Sequence, residues 1–144
     1  LDGTVKEIQL VGVPYSSIDD VWVSVEPMLQ KGIEHGDGEL DTRDILRLLL
    51  ERAMQLWVLW DYAEDRVVMA GVTEIVNYPK MKVCRAVVLG GERLGEWMNY
   101  IQEIETWAKN KGCERMEAYG RRGLAKKMED IGYSNTYVVM RKKI

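Results

Sequence analysis

Gly90, Gly91 and Gly95 fall in the stretch Leu89-Gly90-Gly91-Glu92-Arg93-Leu94-Gly95-Glu96-Trp97, between an apolar run and a helical pattern. A glycine-rich loop that opens a helix leaves backbone N–H groups pointing outward at the positive end of the helix dipole, where an anion such as phosphate can dock. A second turn of this kind, Gly120-Arg121-Arg122-Gly123, precedes Lys126 and Lys127. It reads as an anion-holding turn, as a contact for an acidic partner, or as a solvated helix face. Metal chemistry has no such support. The single histidine, His35, lies among Gly32, Gly36 and Gly38 without a second His or Cys nearby, so no metal is expected. Cys84 and Cys113 fall on separate elements and read as free, partly buried thiols in a reducing, cytoplasmic setting.

The elements that must position these residues follow from apolar spacing. Alternation over residues 5–13 predicts a first strand, stopped by Pro14. Ser16 or Ser17 then caps a helix carrying Ile18, Val21, Trp22 and Val25 on one side, and Pro27 predicts a kink or a second helix start. Asp41 caps a second helix with Ile45, Leu48, Leu49 and Arg52 in helical spacing. Residues 56–60, 67–76 and 81–89 read as an antiparallel meander, and Gly71 marks a bulge or a close approach. The third helix carries the stripe Leu94, Trp97, Met98, Ile101, Ile104 and Ala108 and ends at Asn110-Lys111-Gly112. A short strand over 115–119, a basic helix over 122–130 and a last strand over 136–140 complete the order β-α-α-β-β-β-α-β-α-β. That order predicts an α/β fold with a mixed sheet and helices on its faces, in one domain spanning residues 1–144.

Composition is that of a soluble globular chain: 47% apolar and 30% charged residues, with no run long enough to cross a membrane. Phe is absent, and five Trp and eight Met take the bulky core roles. Net charge is −3 but uneven. Residues 109–144 hold ten Lys or Arg against four Asp or Glu, so this end is +6 and the remainder −9. The acidic pI of about 5.3 argues against general nucleic-acid binding. Leu1 in place of Met is read as a trimmed or replaced N-terminus.

The element order, the loop after the fourth strand and Gly132-Tyr133 before the last strand resemble the GCN5-related N-acetyltransferase (GNAT) superfamily. Gln55-Leu56-Trp57-Val58, Thr73-Glu74-Ile75, Cys84-Arg85, Trp107-Ala108 and Gly120-Arg121-Arg122-Gly123 are similar to small acetyltransferase-like proteins of phages and prophages. The resemblance implies acetyl-CoA as cofactor, lying between splayed fourth and fifth strands. Val87, Val88 and Leu89 would pair with the pantetheine arm, and Gly90, Gly91, Arg93, Leu94, Gly95 and Glu96 would cradle the pyrophosphate. Two positions depart from the family pattern. Aligning its first glycine with Gly95 puts Glu92 at a basic or amide position and Trp97 at a small one. Met128 stands where many members have a tyrosine that protonates the leaving thiolate. Tyr119 and Tyr133 are then the candidate acids and Glu74 the candidate base.

Two functions follow from this resemblance. One is an acetyl-CoA-dependent N-acetyltransferase acting on a small-molecule or protein amine. The alternative is a non-catalytic GNAT-fold protein, a phage accessory or virion-associated component that binds a phage or host protein.

Overall fold

The computed structural model describes residues 7–120 and 122–144. Val5, in the expected first strand, and Arg121, in the basic turn, lie outside them. The elements are β1 (Ile8–Gly12), a short 3-10 turn (Tyr15–Ser17), α1 (Ile18–Ile33), α2 (Thr42–Leu50), β2 (Gln55–Asp61), β3 (Arg66–Asn77), β4 (Lys82–Gly91), α3 (Leu94–Asn110), β5 (Arg115–Ala118) and α4 (Arg122–Glu129). The five strands form one sheet in the order β1-β2-β3-β4-β5. β1 to β4 pair antiparallel with their neighbours, and β5 lies parallel to β4.

Local chemistry accounts for the helix boundaries. At α2 the Asp41 carboxylate accepts from the Asp44 N–H at 2.9 Å, and Asp44 returns the bond to the Asp41 N–H at 2.9 Å. α1 runs through Pro27 as one helix, so the helix does not start a second time there. The missing N–H of Pro27 frees the carbonyl of Val23, and Val23 faces solvent, where water can replace the bond.

The sheet separates two apolar layers. On one face α1 and α2 bury Ile18, Val25, Leu29, Ile45 and Leu49 against Leu56, Val58, Ala70 and Val72. On the other, Trp97 and Ile104 of α3 cover Trp57, Leu59 and Met69. Trp57 meets Trp107 edge-on, with ring centroids 5.1 Å apart, and its indole N–H donates to Thr73 Oγ1 at 2.9 Å. The tryptophans thus fill the core, as their number in a Phe-free chain suggests. Gly71 is the close approach: a side chain there would overlap the Trp97 ring, 2.8 Å from the Cβ position.

The expected last strand does not form. Residues 136–140 have strong β-propensity, but a strand exists through its ladder, and beyond Tyr133 no backbone–backbone hydrogen bond occurs among the described residues. The observed order therefore ends at α4.

Candidate active site

β4 pairs with β3 along its length, from Asn77↔Lys82 to Met69↔Gly91, but with β5 only from Val83↔Arg115 to Ala86↔Ala118. Among the described residues, no strand pairs with its second edge from residue 87 onward. The divergence begins at a bulge: Thr73 pairs with Ala86 and Val72 with Val88, so Val87 is the extra residue. A bulge bends its strand and increases the local twist, which carries β4 away from β5. Backbone groups of Val87 and Val88 that face away from β3 are thereby left without a strand partner, much as at a sheet edge, whereas the Leu89 carbonyl lies against Gly32 of α1.

The open edge leads into the loop before α3. Gly91 has φ 137°, and a Cβ there would lie 2.7 Å from Met69 Cα and the Val68 carbonyl. A Cβ on Gly90 would overlap the Met28 carbonyl of α1. Both glycines are needed for backbone packing whether or not a ligand binds. Gly95 differs, because a Cβ there would meet nothing within 4 Å. The first intrahelical bond of α3 is from the Trp97 N–H to the Arg93 carbonyl, 3.0 Å, and no side chain caps the helix. The N–H groups of Leu94, Gly95 and Glu96 precede that bond and have no intrahelical partner.

Charges around this loop are paired off. Arg93 bonds Asp61 at 3.0 Å, Glu64 at 2.6 Å and Glu96 at 3.4 Å. Glu92 turns to Arg66 at 2.9 Å, and that guanidinium holds its carboxyl below the ordinary range. Asp61 is buried and accepts from the Glu64 and Ala63 N–H groups at 3.0 and 2.9 Å, which with Arg93 also lower its pKa. Trp97 points into the core and leaves the loop free.

Just before the point of divergence, on the α1 face, a polar cluster spans three strands. Glu74, Arg85 and Glu117 are register neighbours on β3, β4 and β5. Arg85 donates to Glu117 through Nε at 3.2 Å and Nη2 at 3.1 Å, to Glu74 through Nη1 at 3.4 Å, and to the Tyr78 hydroxyl at 3.1 Å. Its guanidinium also lies 5.1 Å from the centre of the exposed Tyr119 ring. Lost hydration, with Glu117 adding to it, raises the Tyr119 phenol pKa against the pull of Arg85, so the group is protonated at neutral pH.

In fold, the chain is similar to a predicted acetyltransferase of Clostridium acetobutylicum solved with acetyl-CoA (10% identity, TM-score 0.69, covering 94% of this chain and 96% of that one). It is also similar to an aminoglycoside acetyltransferase from an uncultured soil metagenomic sample, solved with sisomicin (10%, 0.70, 96% and 97%). A GNAT family acetyltransferase of Staphylococcus aureus matches over 96% of this chain and 99% of that one, at 13% identity and TM-score 0.65. The chain has the GNAT acetyltransferase fold. No family model matches it, and no curated protein matches it in sequence.

Within the GNAT fold, the candidate residues divide into two groups. Glu74 and Tyr119 come together through Arg85, on the α1 face. Tyr133 lies elsewhere: its hydroxyl donates to Glu105 of α3 at 2.6 Å, and burial, reinforced by that carboxylate, strongly raises its pKa. Met128 is buried. Glu117 and Tyr78 were not singled out as site residues from sequence; only the β4–β5 register joins them to Arg85. Of the basic turn, Arg122, Lys126 and Lys127 fall on α4. Burial raises the Cys84 thiol pKa to about 11, and both cysteines are free. Among the described residues no His, Cys, Asp and Glu group could hold a metal, and no helix is long and apolar enough to cross a membrane.

Proposed function

We propose that the protein is an acetyl-CoA-dependent N-acetyltransferase acting on an amine. The observation that carries this reading is the stretch of β4 that β5 leaves unpaired, together with the uncapped helix N-terminus it leads to. The stretch starts at the Val87 bulge. Such an arrangement fits a ligand with amides along an extended arm and a phosphate group at its end.

Val87, Val88 and Leu89 would hold the pantetheine arm, and the N–H groups of Leu94, Gly95 and Glu96 would hold the pyrophosphate. When bound, acetyl-CoA supplies an activated acetyl thioester. The β4 amides next to the bulge would orient its carbonyl and stabilise charge developing on that oxygen. The Glu74–Arg85–Glu117 cluster fixes the strands where they part, and positioning of this kind contributes much of the rate in an amine's attack on an acyl group. Glu74 can accept the amine proton, and Tyr119 can deliver a proton to the departing thiolate. The neighbour solved with sisomicin supports an amine-bearing acceptor.

Calorimetric titration with acetyl-CoA and CoA tests the reading. We expect micromolar binding that weakens at least about tenfold in Gly95→Trp, whose indole would fill the space above the α3 N–H groups, with ten-fold corresponding to about 1.4 kcal/mol. Heat-free titrations at high protein concentration would discard it. They would favour the second reading, a non-catalytic GNAT-fold protein that binds a protein partner. Two points favour that alternative: the family resemblance sets Met128, which cannot donate a proton, where many members have a tyrosine, and Arg93 is held by three carboxylates.

A further inference from the structure

The C-terminal segment links the two faces of the sheet. At its root Tyr133 is fixed on the α3 side, its hydroxyl donating to Glu105 at 2.6 Å and its N–H to the Met128 carbonyl at 3.1 Å. At its far end the Arg141 guanidinium donates to Asp37 at 3.3 Å and to Glu39 at 3.0 Å. Both carboxylates belong to the loop between α1 and α2, the helices of the opposite face. Residues 134–140 lie between these anchors, and a chain of that length reaches at most roughly 30 Å.

The loop that receives Arg141 starts beside the open stretch of β4. A Cβ on Gly32, in the last turn of α1, would meet the Leu89 carbonyl and a Val88 methyl, and the loop leaves the helix just after it. A route round β1 would cross three strand spacings twice, about 29 Å, before the depth of either layer is added. The segment therefore passes on the β5 side, past the part of β4 that β5 leaves unpaired. The acidic end of this bridge is preset. The Asp37 N–H donates to Glu39 at 2.7 Å, and that bond, the N–H of Glu39 itself and Arg141 together hold its carboxyl below the usual range. The ion pairs are still open to water. The Arg141, Asp37 and Glu39 side chains are 47, 72 and 46% exposed, and pairs of that kind part and re-form readily.

We propose that Arg141 is a latch: its two ion pairs hold the C-terminal segment across the entrance to the open stretch of β4, and ligand enters when they part. The latch regulates the site assigned above and rests on that reading. Only the fraction of chains with Arg141 released is competent to bind, so the apparent Kd exceeds the intrinsic one by that fraction.

Calorimetric titration of acetyl-CoA into full-length proteins is the test. Arg141→Gln releases the latch and should tighten binding about two- to fivefold, the range that exposed ion pairs set. Removing a cation would by itself weaken binding of a phosphate-bearing ligand, so a gain reports release of the latch. A second protein carries Glu39→Cys and Arg141→Cys joined by a short bis-maleimide; the native cysteines are buried and stay out of the reaction. Locked in this way it should bind at least about tenfold more weakly than the same double variant left unlinked. Equal affinities in the parent, Arg141→Gln and linked proteins overturn the latch and leave the acetyl-CoA reading standing. Weaker binding in Arg141→Gln also overturns it, because Arg141 would then serve the ligand directly. Absence of binding in every protein, the released ones included, overturns the acetyl-CoA reading and the latch together, whereas binding confined to the released proteins supports both.

Discussion

Tyr119 and Tyr133 are both tyrosines beside a carboxylate, yet their surroundings give them different work. Tyr119 is exposed, borders the polar cluster at the root of the β4–β5 gap and stays protonated at neutral pH. Tyr133 is locked to Glu105 on the α3 face. Tyr119→Phe should therefore lower kcat by about a hundredfold, the low end for general acid catalysis, with little change in KM for acetyl-CoA. Tyr133→Phe should instead cost about 1–2 kcal/mol of stability through its lost hydrogen bond and leave kcat near the parent value. Steady-state kinetics and denaturant unfolding on the two variants separate the roles. A Tyr119→Phe enzyme of parental kcat would remove Tyr119 from the chemistry. The sequence shows both tyrosines near Gly132 and cannot rank them, because the partner that decides each is distant in sequence: Arg85 for one, Glu105 for the other.

At the scale of elements, the α3 N-terminus is braced against the end of β2. Asp61 closes β2, accepts two N–H bonds from the following turn and grips Arg93, the residue before α3. Its carboxyl titrates below its unfolded value near 3.9, so its contribution to stability is complete at neutral pH and is lost as pH falls through the folded value. Asp61→Asn should lower Tm at neutral pH and flatten the further loss of Tm between about pH 5 and pH 3. Thermal melts across that range check the sign; an unchanged acid profile would remove Asp61 from the brace. Much of this layer was legible beforehand. The meander, the third helix and the Asp41 cap follow from local spacing, and the apolar stripe of the third helix places Trp97 in the core, where it packs on Gly71. The family loop pattern taken alone makes the same residue an obstruction. The bulge at Val87 and the parallel register that joins Glu117 to Arg85 were not legible, since both depend on which strands meet. Residues 136–140 show the converse failure, strand propensity with no ladder to join.

For the whole molecule, the consequence is a sheet joined firmly on one side and loosely on the other. β5 is tied to β4 through the short register Val83–Ala86, and beyond it the two strands part, while the residues after β5 are held by Tyr133 on Glu105 and Arg141 on Asp37 and Glu39. A ligand lying along the β4 edge and the α3 N-terminus contacts the native arrangement and has no counterpart in the unfolded chain. It must therefore raise stability by mass action, about 2.7 kcal/mol at a hundred times its Kd. For a chain of 144 residues each kcal/mol raises Tm by roughly 2–4 °C. Saturating acetyl-CoA should then raise Tm by about 5–10 °C, in proportion to the logarithm of its concentration. Gly95→Trp should lose the shift, whereas Val138→Pro, altered in the exposed C-terminal segment, should keep it in full. The pair of variants keeps two questions apart. Loss of the shift in Val138→Pro would mean that the tail takes part in the ligand site, and a full shift in Gly95→Trp would mean that the ligand binds somewhere other than the open edge of β4.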